Sequence, residues 1–391
     1  MKVLHLITTL DVGGAEMHLL SQVRGQSERG HEPSVVYLKG AGTLADDFRA
    51  AGARSVERAA GLGGLVALAR AMRRADLVHT HLLKADALGA VVALLCGRRA
   101  RLVASKHNDE QVLTRPLVSR VHGLIGRVPR RTIVLSDHVG RFFVEHGRLR
   151  PERITRIYYG LDPVPFERAA AERDAHRTRL RSELGTPDDA VVFLCVARFA
   201  PQKAHHVLVE GFARARARSA APLELWLVGD DPFGDGRQRA EEAARRFEVT
   251  DGVRFLGIRR DVPHLMAASD VFTMTSLWEG LGLVFLEAMA TGLPVLASGV
   301  SAVPEVVVDG ETGRLVPPND PAAWAAAAVD LAADPATRAR YGTAGAARRR
   351  ERFGLPRMID ETLEVYAAVA DPARASARED DRGANDRRAS P

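Results

Sequence analysis

The chain has 391 residues and a mass of 42.4 kDa, enough for two domains of ordinary size that each bury a core. Hydrophobic residues make up 46% and charged residues 27%, a composition that excludes disordered and fibrous proteins. The net charge of +6 favours anionic partners, but no aromatic and basic residues interleave as in base-stacking proteins, so we expect no nucleic-acid partner.

The cysteines and the apolar runs bear on the compartment. Cys96 and Cys195 each lie within an apolar run, which favours buried small hydrophobic residues over a disulfide and fits a reducing cytoplasm. The N-terminal segment MKVLHLITTL has no small-residue cleavage site. The longest apolar run, from Ala85 to Cys96, is too short to span a membrane. We therefore expect a cytoplasmic protein that is not integral to a membrane.

Short β-branched runs alternate with longer amphipathic segments along the chain, which is typical of βα units around a parallel sheet. The predicted strands of the first half cover residues 3–8, 35–38, 77–80, 102–105 and 133–135. The rhythm restarts after Asp162, with predicted strands at residues 191–196, 225–228, 253–256, 271–274 and 295–297. The pattern predicts an α/β fold with two Rossmann-like, doubly wound domains, whose ligands bind at the carboxyl ends of the strands.

The domain boundaries follow from this rhythm. We expect an N-terminal domain over residues 1–165, a second domain over residues 175–353, a C-terminal helix over residues 354–370 and a disordered tail over residues 371–391. The segment from Tyr159 to about Asp189 is rich in Pro, Arg and Glu and is interpreted as a linker that leads into the second domain. A helix is predicted from Pro321 to about Arg352.

Two candidate site segments follow predicted strands of the first domain. The turn Asp11-Val12-Gly13-Gly14-Ala15-Glu16 opens a helix, as a phosphate or acceptor loop would, or as a simple tight turn would. It lacks the G-x-G-x-x-G spacing of dinucleotide-binding loops. Lys106-His107-Asn108 follows the strand at 102–105, so His107 is the best placed of the 13 histidines, with His79 and His81 behind it.

Residues 115–131 form a basic amphipathic segment, in which apolar residues recur at helical spacing among five arginines. The favoured interpretation is a helix that packs on the sheet and exposes a basic face. A contact with anionic lipid is the secondary hypothesis.

The first predicted strand of the second half ends in Arg198-Phe199-Ala200-Pro201-Gln202-Lys203. Arginine presents a planar fork to phosphate oxygens and lysine a mobile point charge, so the pair suits a diphosphate.

The segment from Ser276 to Ala290 has the clearest pattern in the chain. Seven residues separate Glu279 from Glu287, with Gly280 and Gly282 in a turn between a strand and a helix. Glycines permit close ligand approach, and the free N–H groups of the helix start favour an anion or a hydroxyl-bearing ligand. Glu287 lies in an apolar helical run, where a carboxylate must find donors or shift its pKa. Sugar hydroxyls are such donors.

These segments resemble the donor site of the retaining nucleotide-sugar glycosyltransferases of the GT-B fold, the large group 1, family 4-like family. The E-x7-E spacing within EGLGLVFLEAMATGLPVLAS and the Arg-x4-Lys element carry the resemblance, which covers about residues 1 to 370. Two positions depart from the family pattern. Ala204 replaces the Gly that usually follows the lysine, and Tyr159-Gly160-Leu161-Asp162 replaces Asn-Gly-Val-Asp.

The resemblance implies specific roles. Glu279 would bind hydroxyls of the donor sugar, and Glu287 would bind the ribose. The Gly13-Gly14 loop would close over the donor, and His107 would reach the reacting sugar. Arg198 and Lys203 would stabilise the departing diphosphate. The donor-binding set is then Gly13, Gly14, Arg198, Lys203, Glu279, Gly280, Leu281, Gly282, Leu283 and Glu287.

The expected function is transfer of a hexosyl unit from a UDP- or GDP-sugar to an acceptor hydroxyl with retention of configuration. The acceptor is a lipid-linked saccharide, a polysaccharide or a small molecule. We expect no cofactor and no metal, because the nearest acidic pair, Asp230 and Asp231, follows a strand where caps and loop contacts are common. The alternatives are a nucleotide-sugar epimerase of the same fold and a non-catalytic glycan-binding or partner protein, although the latter predicts loss of the charged site residues.

Overall fold

The structure is a computed structural model that describes residues 1–232 and 234–371. The chain forms two compact units. The first contains Met1–Gly160 and the chain from Leu355 onward, and the second contains Leu161–Gly354. The expected disordered tail at residues 371–391 lies outside the described residues except for Asp371.

The first unit is built on a seven-stranded sheet in which every pairing is parallel. Its strands are β1 (Lys2–Ile7), β2 (Glu32–Tyr37), β3 (Val56–Arg58), β4 (Leu77–His81), β5 (Leu102–Lys106), β6 (Arg131–Val134) and β7 (Ile154–Arg156). They are ordered β3-β2-β1-β4-β5-β6-β7. The chain therefore changes its direction of winding between β1 and β4, and the loops after these two strands leave a crevice there.

Six helices connect these strands: α1 (Gly14–Glu28), α2 (Ala45–Ala50), α3 (Gly61–Arg74), α4 (Leu83–Leu95), α5 (Pro116–Ile125) and α6 (Asp137–Glu145). Short 3-10 turns lie at Arg99–Arg101, Gln111–Thr114 and Pro151–Arg153. The central strands are covered on both faces, which is why β1, β4 and β5 are buried almost without interruption.

The second unit is built on a six-stranded parallel sheet. Its strands are β8 (Val191–Val196), β9 (Leu223–Val228), β10 (Val253–Gly257), β11 (Val271–Met274), β12 (Val295–Ser298) and β13 (Gly313–Val316). The order β10-β9-β8-β11-β12-β13 places the change of winding between β8 and β11.

Nine helices of the second unit are described: α7 (Val164–Ala171), α8 (Arg173–Leu184), α9 (His205–Arg216), α10 (Gly236–Arg246), α11 (Val262–Ala268), α12 (Leu283–Ala290), α13 (Val303–Val306), α14 (Pro321–Ala333) and α15 (Pro335–Arg352). A 3-10 turn lies at Pro201–Lys203. The last helix, α16 (Leu355–Ala370), belongs to the first unit, where Met358, Ile359 and Tyr366 pack with Val3, Leu77 and Val103 of the sheet.

The predicted fold class, two doubly wound parallel sheets, is confirmed. Three strands were not predicted: β3, β7 and β13. Each is an edge strand of three or four residues, so it lacks the long apolar run that marks the central strands.

Three helix predictions need correction. The segment interpreted as a linker contains the helices α7 and α8. Arg173, at the start of α8, donates to the carbonyls of Ala267 and Thr291 and so holds the segment in the second unit. The helix predicted from Pro321 to Arg352 divides at Asp334, whose side chain caps the N-terminus of α15. The helix predicted at 115–131 ends at Ile125; Ile125 and Val128 pack against the core of the sheet, but Leu117, Val121 and Leu124 are exposed.

Candidate active site

The loops after β8 and β11 meet where the winding of the second sheet changes, since these strands are neighbours. The Leu277 N–H donates to the Gln202 carbonyl at 2.8 Å, and Gln202 Nε2 donates to the Trp278 carbonyl at 2.6 Å. Thr275 Oγ1 donates to the Ala204 carbonyl at 3.2 Å. The two loops that the sequence singled out are thus joined by backbone and side-chain hydrogen bonds.

Two charged side chains of these loops form an ion pair. Lys203 Nζ donates to Glu279 Oε1, and the two side chains are only 15% and 6% exposed. Arg198 is exposed, and none of residues 1–232 and 234–371 forms a hydrogen bond or ion pair with its guanidinium. The site therefore has one cation in an internal ion pair and one available to an anion.

A glycine turn leads into α12. Gly282 has φ +81° at the N-cap of α12, a left-handed conformation in which glycine is strongly favoured. A Cβ there would lie 2.6 Å from the Phe285 ring, so close packing also requires glycine. Gly280 and Leu281 are buried, and Leu283 begins the helix. This turn starts α12 four residues after Glu279.

Glu287 lies on the second turn of α12 and is half-buried, whereas its neighbours Phe285, Leu286 and Ala288 are fully buried. Burial raises the pKa of Glu287 from 4.5 to about 7. Its carboxylate receives no hydrogen bond or ion pair from the described part of the chain, so nothing offsets the loss of hydration. A ligand with hydroxyl donors would supply the missing bonds.

Ala204 adopts a left-handed conformation, with φ +47°. It ends the 3-10 turn that carries Lys203 and precedes α9. The backbone thus adopts here a conformation that suits glycine, which explains the glycine of the family pattern, and alanine is accommodated at some strain.

Asp230 and Asp231 lie in the loop between β9 and α10. Asp231 accepts hydrogen bonds from the backbone N–H groups of Gly234 and Arg237, both at 3.0 Å, and Asp230 accepts one from the Asp231 N–H. Both carboxylates are therefore engaged in local turns, as the interpretation of caps and loop contacts predicts.

In the first unit, Gly13 and Gly14 lie where β1 leads into α1. Gly13 is the N-cap residue in an extended conformation, so its backbone does not require glycine. A Cβ on Gly14 would meet nothing within 4 Å, so the helix start is open in front of it. Glu16 of the first turn accepts a hydrogen bond from Thr9 Oγ1 at 2.7 Å.

His107 is one end of a hydrogen-bonded chain of histidines that begins at Gln26. His5 Nε2 lies 2.9 Å from Gln26 Oε1, His5 Nδ1 lies 3.1 Å from His81 Nε2, and His81 Nδ1 lies 3.1 Å from His107 Nε2. His107 Nδ1 lies 2.6 Å from the Tyr159 hydroxyl. Both ring nitrogens of His107 are therefore occupied within the first unit.

The amide of Gln26 sets the direction of this chain. Its oxygen accepts from His5 Nε2–H, so His5 Nδ1 accepts from His81, His81 Nδ1 accepts from His107, and His107 Nδ1 accepts from the Tyr159 O–H. Burial, together with the positive charge of the nearby Lys106, lowers the pKa of His107 to about 3. The rings are thus neutral, and each carries its proton on Nε2.

His79 belongs to a second branch from the same glutamine. Gln26 Nε2 donates to the Tyr366 hydroxyl at 3.3 Å, and His79 contacts that hydroxyl at 2.6 Å and Ser105 Oγ at 2.7 Å. Within the described ranges, His5, His79 and His81 form the one set of side chains that could hold a metal ion, with ligand atoms within 4.8 Å of one another. The ring nitrogens of all three already have hydrogen-bond partners.

Sequence reasoning missed Gln26, Tyr159 and Tyr366. Tyr366 lies 340 residues from Gln26, and no spacing rule connects them. Tyr159 was noted only as a departure from the family pattern, yet it holds His107. Cys96 and Cys195 are free thiols, and burial raises the pKa of Cys195 to about 12, consistent with a packing role.

Two family models match the chain. Residues 190–334 match the model described as glycosyl transferases group 1, and residues 12–164 match glycosyltransferase family 4. The D-inositol 3-phosphate glycosyltransferase of Streptomyces avermitilis is 33% identical over 322 residues, which are 78% of this chain and 67% of that protein. The protein of the same name from Kineococcus radiotolerans is 33% identical over 330 residues, 78% of this chain and 74% of that protein.

Solved structures give the same fold. Anabaena Alr3699/HepE, in complex with UDP-glucose, superposes with a TM-score of 0.83 and 26% identity over 94% of this chain and 100% of that chain. Sucrose-phosphate synthase (tll1590) from Thermosynechococcus elongatus superposes with a TM-score of 0.77 and 22% identity over 94% and 99%.

Two doubly wound parallel sheets, with the Lys203–Glu279 ion pair where the second changes its winding, define a protein of the GT-B class. The family models and the sequence relatives identify the family within this class. The chain belongs to the group 1, family 4-like glycosyltransferases.

Proposed function

We propose that this glycosyltransferase moves a hexosyl unit from a UDP-sugar to an acceptor hydroxyl with retention of anomeric configuration. One observation carries the proposal: the loops after β8 and β11 bring Lys203 and Glu279 together at the change of winding, with Arg198 on the first of these loops and Glu287 on the helix that follows the second. The complex of Anabaena Alr3699/HepE with UDP-glucose supports UDP over GDP.

The proposed division of labour follows from charge and burial. Arg198 is exposed and receives the diphosphate first, and Lys203 adds a second positive charge as the bond between the anomeric carbon and the diphosphate breaks. Glu279, whose carboxylate is held by Lys203, accepts hydroxyls of the transferred sugar. Glu287 accepts the ribose hydroxyls, which supply the hydrogen bonds that its carboxylate lacks.

The residues of the first unit have proposed roles as well. Gly13 and Gly14 form the start of α1 that faces the donor, and the space in front of Gly14 is open. His107 contacts the reacting sugar, which requires it to exchange its bond with His81 or Tyr159 for a sugar hydroxyl. No metal is part of this proposal, since the two cations supply the charge that the departing diphosphate needs.

The acceptor and the compartment are also matters of proposal. The relatives named for D-inositol 3-phosphate are a reason to include that compound among the acceptors tested, beside lipid-linked saccharides and polysaccharides. No helix of the described ranges combines the length and apolar character needed to cross a membrane. We place the protein in the cytoplasm, with peripheral contact at the inner face of the membrane.

The test is thermal unfolding of the full chain with UDP, GDP, ADP and UMP. A ligand at about 100 times its Kd stabilises the folded state by about 2.7 kcal/mol. We expect UDP to raise the melting temperature of wild type most and to raise that of Glu287→Ala much less. If no nucleoside diphosphate shifts the transition, the donor-site assignment is wrong.

Analysis of the reaction products separates the proposed glycosyl transfer from two alternative functions. A nucleotide-sugar epimerase of the same fold would alter the donor sugar without any acceptor. A non-catalytic glycan-binding partner would neither consume donor nor respond to Arg198→Ala. Incubation with UDP-glucose, with and without acceptor, followed by chromatography of the sugar products distinguishes all three.

A further inference from the structure

Exposed large apolar side chains are concentrated on three helices of the first unit. Fifteen such residues are exposed in the described part of the chain, and nine of them lie on α3, α4 and α5, three on each helix. These nine residues, which we call the helical patch, are Leu62, Leu65, Val66, Val91, Leu94, Leu95, Leu117, Val121 and Leu124. Scattered apolar residues need no explanation, but a concentration of this kind indicates a binding surface.

The three helices form a continuous layer. They pack on one face of the first sheet through a shared core that includes Leu68 of α3, Ala93 of α4 and Ile125 of α5. In this layer α4 lies against α3 on one side and α5 on the other. The outward residues of neighbouring helices therefore belong to one surface. Leu62, Leu95 and Leu117 are 83%, 79% and 72% exposed.

Polar contacts fix the orientation of α5. Its buried residues are Ser119, His122 and Gly123, and Ile125 packs against the shared core, while Leu117, Val121 and Leu124 point outward. Ser119 Oγ donates to the His146 carbonyl at 2.5 Å, and His122 Nδ1 donates to the Gly147 carbonyl at 2.6 Å. A Cβ at Gly123 would lie 2.9 Å from Arg148 Cβ. The helix cannot rotate its apolar stripe inward without breaking these contacts.

The surroundings of the helical patch are strongly basic. Residues 61–131 contain thirteen Lys and Arg but only four Asp and Glu, an excess that exceeds the +6 of the whole chain. Asp86 is buried in an ion pair with Lys106, and Asp109 is buried beside His138. Neither Asp76 nor Glu110 is fully exposed. The layer thus presents apolar and cationic groups with almost no negative charge.

We propose that the helical patch and its arginines dock the first unit onto an anionic phospholipid bilayer. Leucines and valines enter the boundary between headgroups and acyl chains, while the arginines pair with lipid phosphates. The charge argues against a second copy of this chain as the occupant, because two such surfaces would repel each other. The helical patch belongs to the first unit and the donor loops to the second, so the inference adds to the proposed function the surface by which the enzyme would reach its acceptor.

The test is flotation of the full-length protein with vesicles of phosphatidylcholine alone or mixed with phosphatidylglycerol. We expect binding to the mixed vesicles only, weakened by salt. The triple variant Arg115→Gln, Arg120→Gln, Arg127→Gln should lose about 150-fold in partition, since each arginine near an anionic surface contributes about 1 kcal/mol. Leu117→Gln, Val121→Gln, Leu124→Gln should lose about a hundredfold or more, because the side chains no longer gain from burial in lipid.

Matched variants of the second unit serve as controls. Arg239→Gln, Arg245→Gln, Arg246→Gln removes three exposed arginines of α10, and Val164→Gln, Ile258→Gln removes two exposed apolar residues. Both should bind vesicles like wild type, and circular dichroism should match for all variants. The proposal is overturned if wild type does not float, or if the α5 variants bind as well as the controls. A lipid-free dimer that the leucine variant converts to monomer would instead assign the surface to self-association. No step of this assay uses sugar transfer, so its result tests the membrane proposal independently of the donor-site assignment.

Discussion

Glu287→Gln isolates the cost of holding an uncompensated carboxylate in the second unit. The change keeps the shape of the side chain and removes its charge. In the folded protein the pKa of Glu287 is raised from 4.5 to about 7 by burial. Between these two pH values the folded form binds more protons than the unfolded form, so wild-type stability falls as the pH rises. Below pH 4.5 both forms are neutral, and above pH 7 the full penalty applies.

The magnitude follows from the shift. A raise of about 2.5 pH units at about 1.4 kcal/mol per unit corresponds to about 3 kcal/mol. We therefore expect Glu287→Gln to be more stable than wild type by about 3 kcal/mol at pH 8 and equally stable at pH 4. For a unit of this size the difference amounts to roughly 6 to 12 °C in the melting temperature.

The assay is thermal and urea unfolding of both proteins from pH 4 to pH 8. Glu311→Gln is the control, because Glu311 is an exposed glutamate of the same unit and its change should shift nothing. A Glu287→Gln protein that is less stable than wild type at pH 8, or a difference independent of pH, would refute the reasoning. The same substitution should weaken UDP binding, because a neutral amide is a poorer acceptor for ribose hydroxyls than a carboxylate. Wild type should release a proton on binding UDP near pH 6.5, detectable by calorimetry in buffers of different ionisation enthalpy.

Three further predictions concern the charged groups and the histidine chain. Arg198→Ala and Lys203→Ala should each slow turnover about ten- to a hundredfold. Only Lys203→Ala should also destabilise the fold, by roughly 3 kcal/mol, because it leaves the Glu279 carboxylate buried without its cation. Equal stability of the two variants would contradict this. His107→Ala should lower kcat about tenfold with unchanged UDP affinity, and because the pKa of His107 is lowered to about 3, the ring stays neutral and should add no inflection to the kcat profile between pH 5 and 8. Excess EDTA should leave turnover unchanged, whereas loss of activity with rescue by magnesium or manganese would direct attention to Asp230, Asp231 or the histidines.

The sequence predicted what local patterns determine. Apolar β-branched runs marked the central strands, because strands covered on both faces need such residues throughout. The Glu279 and Glu287 spacing marked a strand, a turn and a helix, and Gly282 indeed takes the left-handed conformation that the turn needs. Three of the four edge strands, β3, β7 and β13, escaped detection because they have only three or four residues and lack a long apolar run, whereas the fourth, β10, has five residues and was predicted.

What the sequence could not predict depends on long-range partners. Residues 159–189 looked like a linker because of their prolines and charges, but Arg181 of α8 is buried against Asp270 and the carbonyls of Pro187 and Ala190. The sequence showed that apolar residues recur at helical spacing along α5, but this spacing does not tell which face of the helix lies against the core. The orientation of α5 depends on Ser119 and His122, which donate hydrogen bonds to carbonyls about 25 residues away in the chain.

Unfavourable features without compensation in the fold indicate where ligands belong. Two other buried acids of this protein face a cation: Asp86 faces Lys106, and Glu279 faces Lys203. Glu287 has no such partner in the described chain, and the helical patch has no apolar cover there either. A glutamine at position 287 and polar residues on α5 would each lower the free energy of the folded, ligand-free protein. Stability alone would therefore favour replacing Glu287 and the apolar residues of the helical patch. Their presence is explained if a hydroxyl-bearing donor completes the first and a lipid surface completes the second, so each should become favourable only when its ligand is bound.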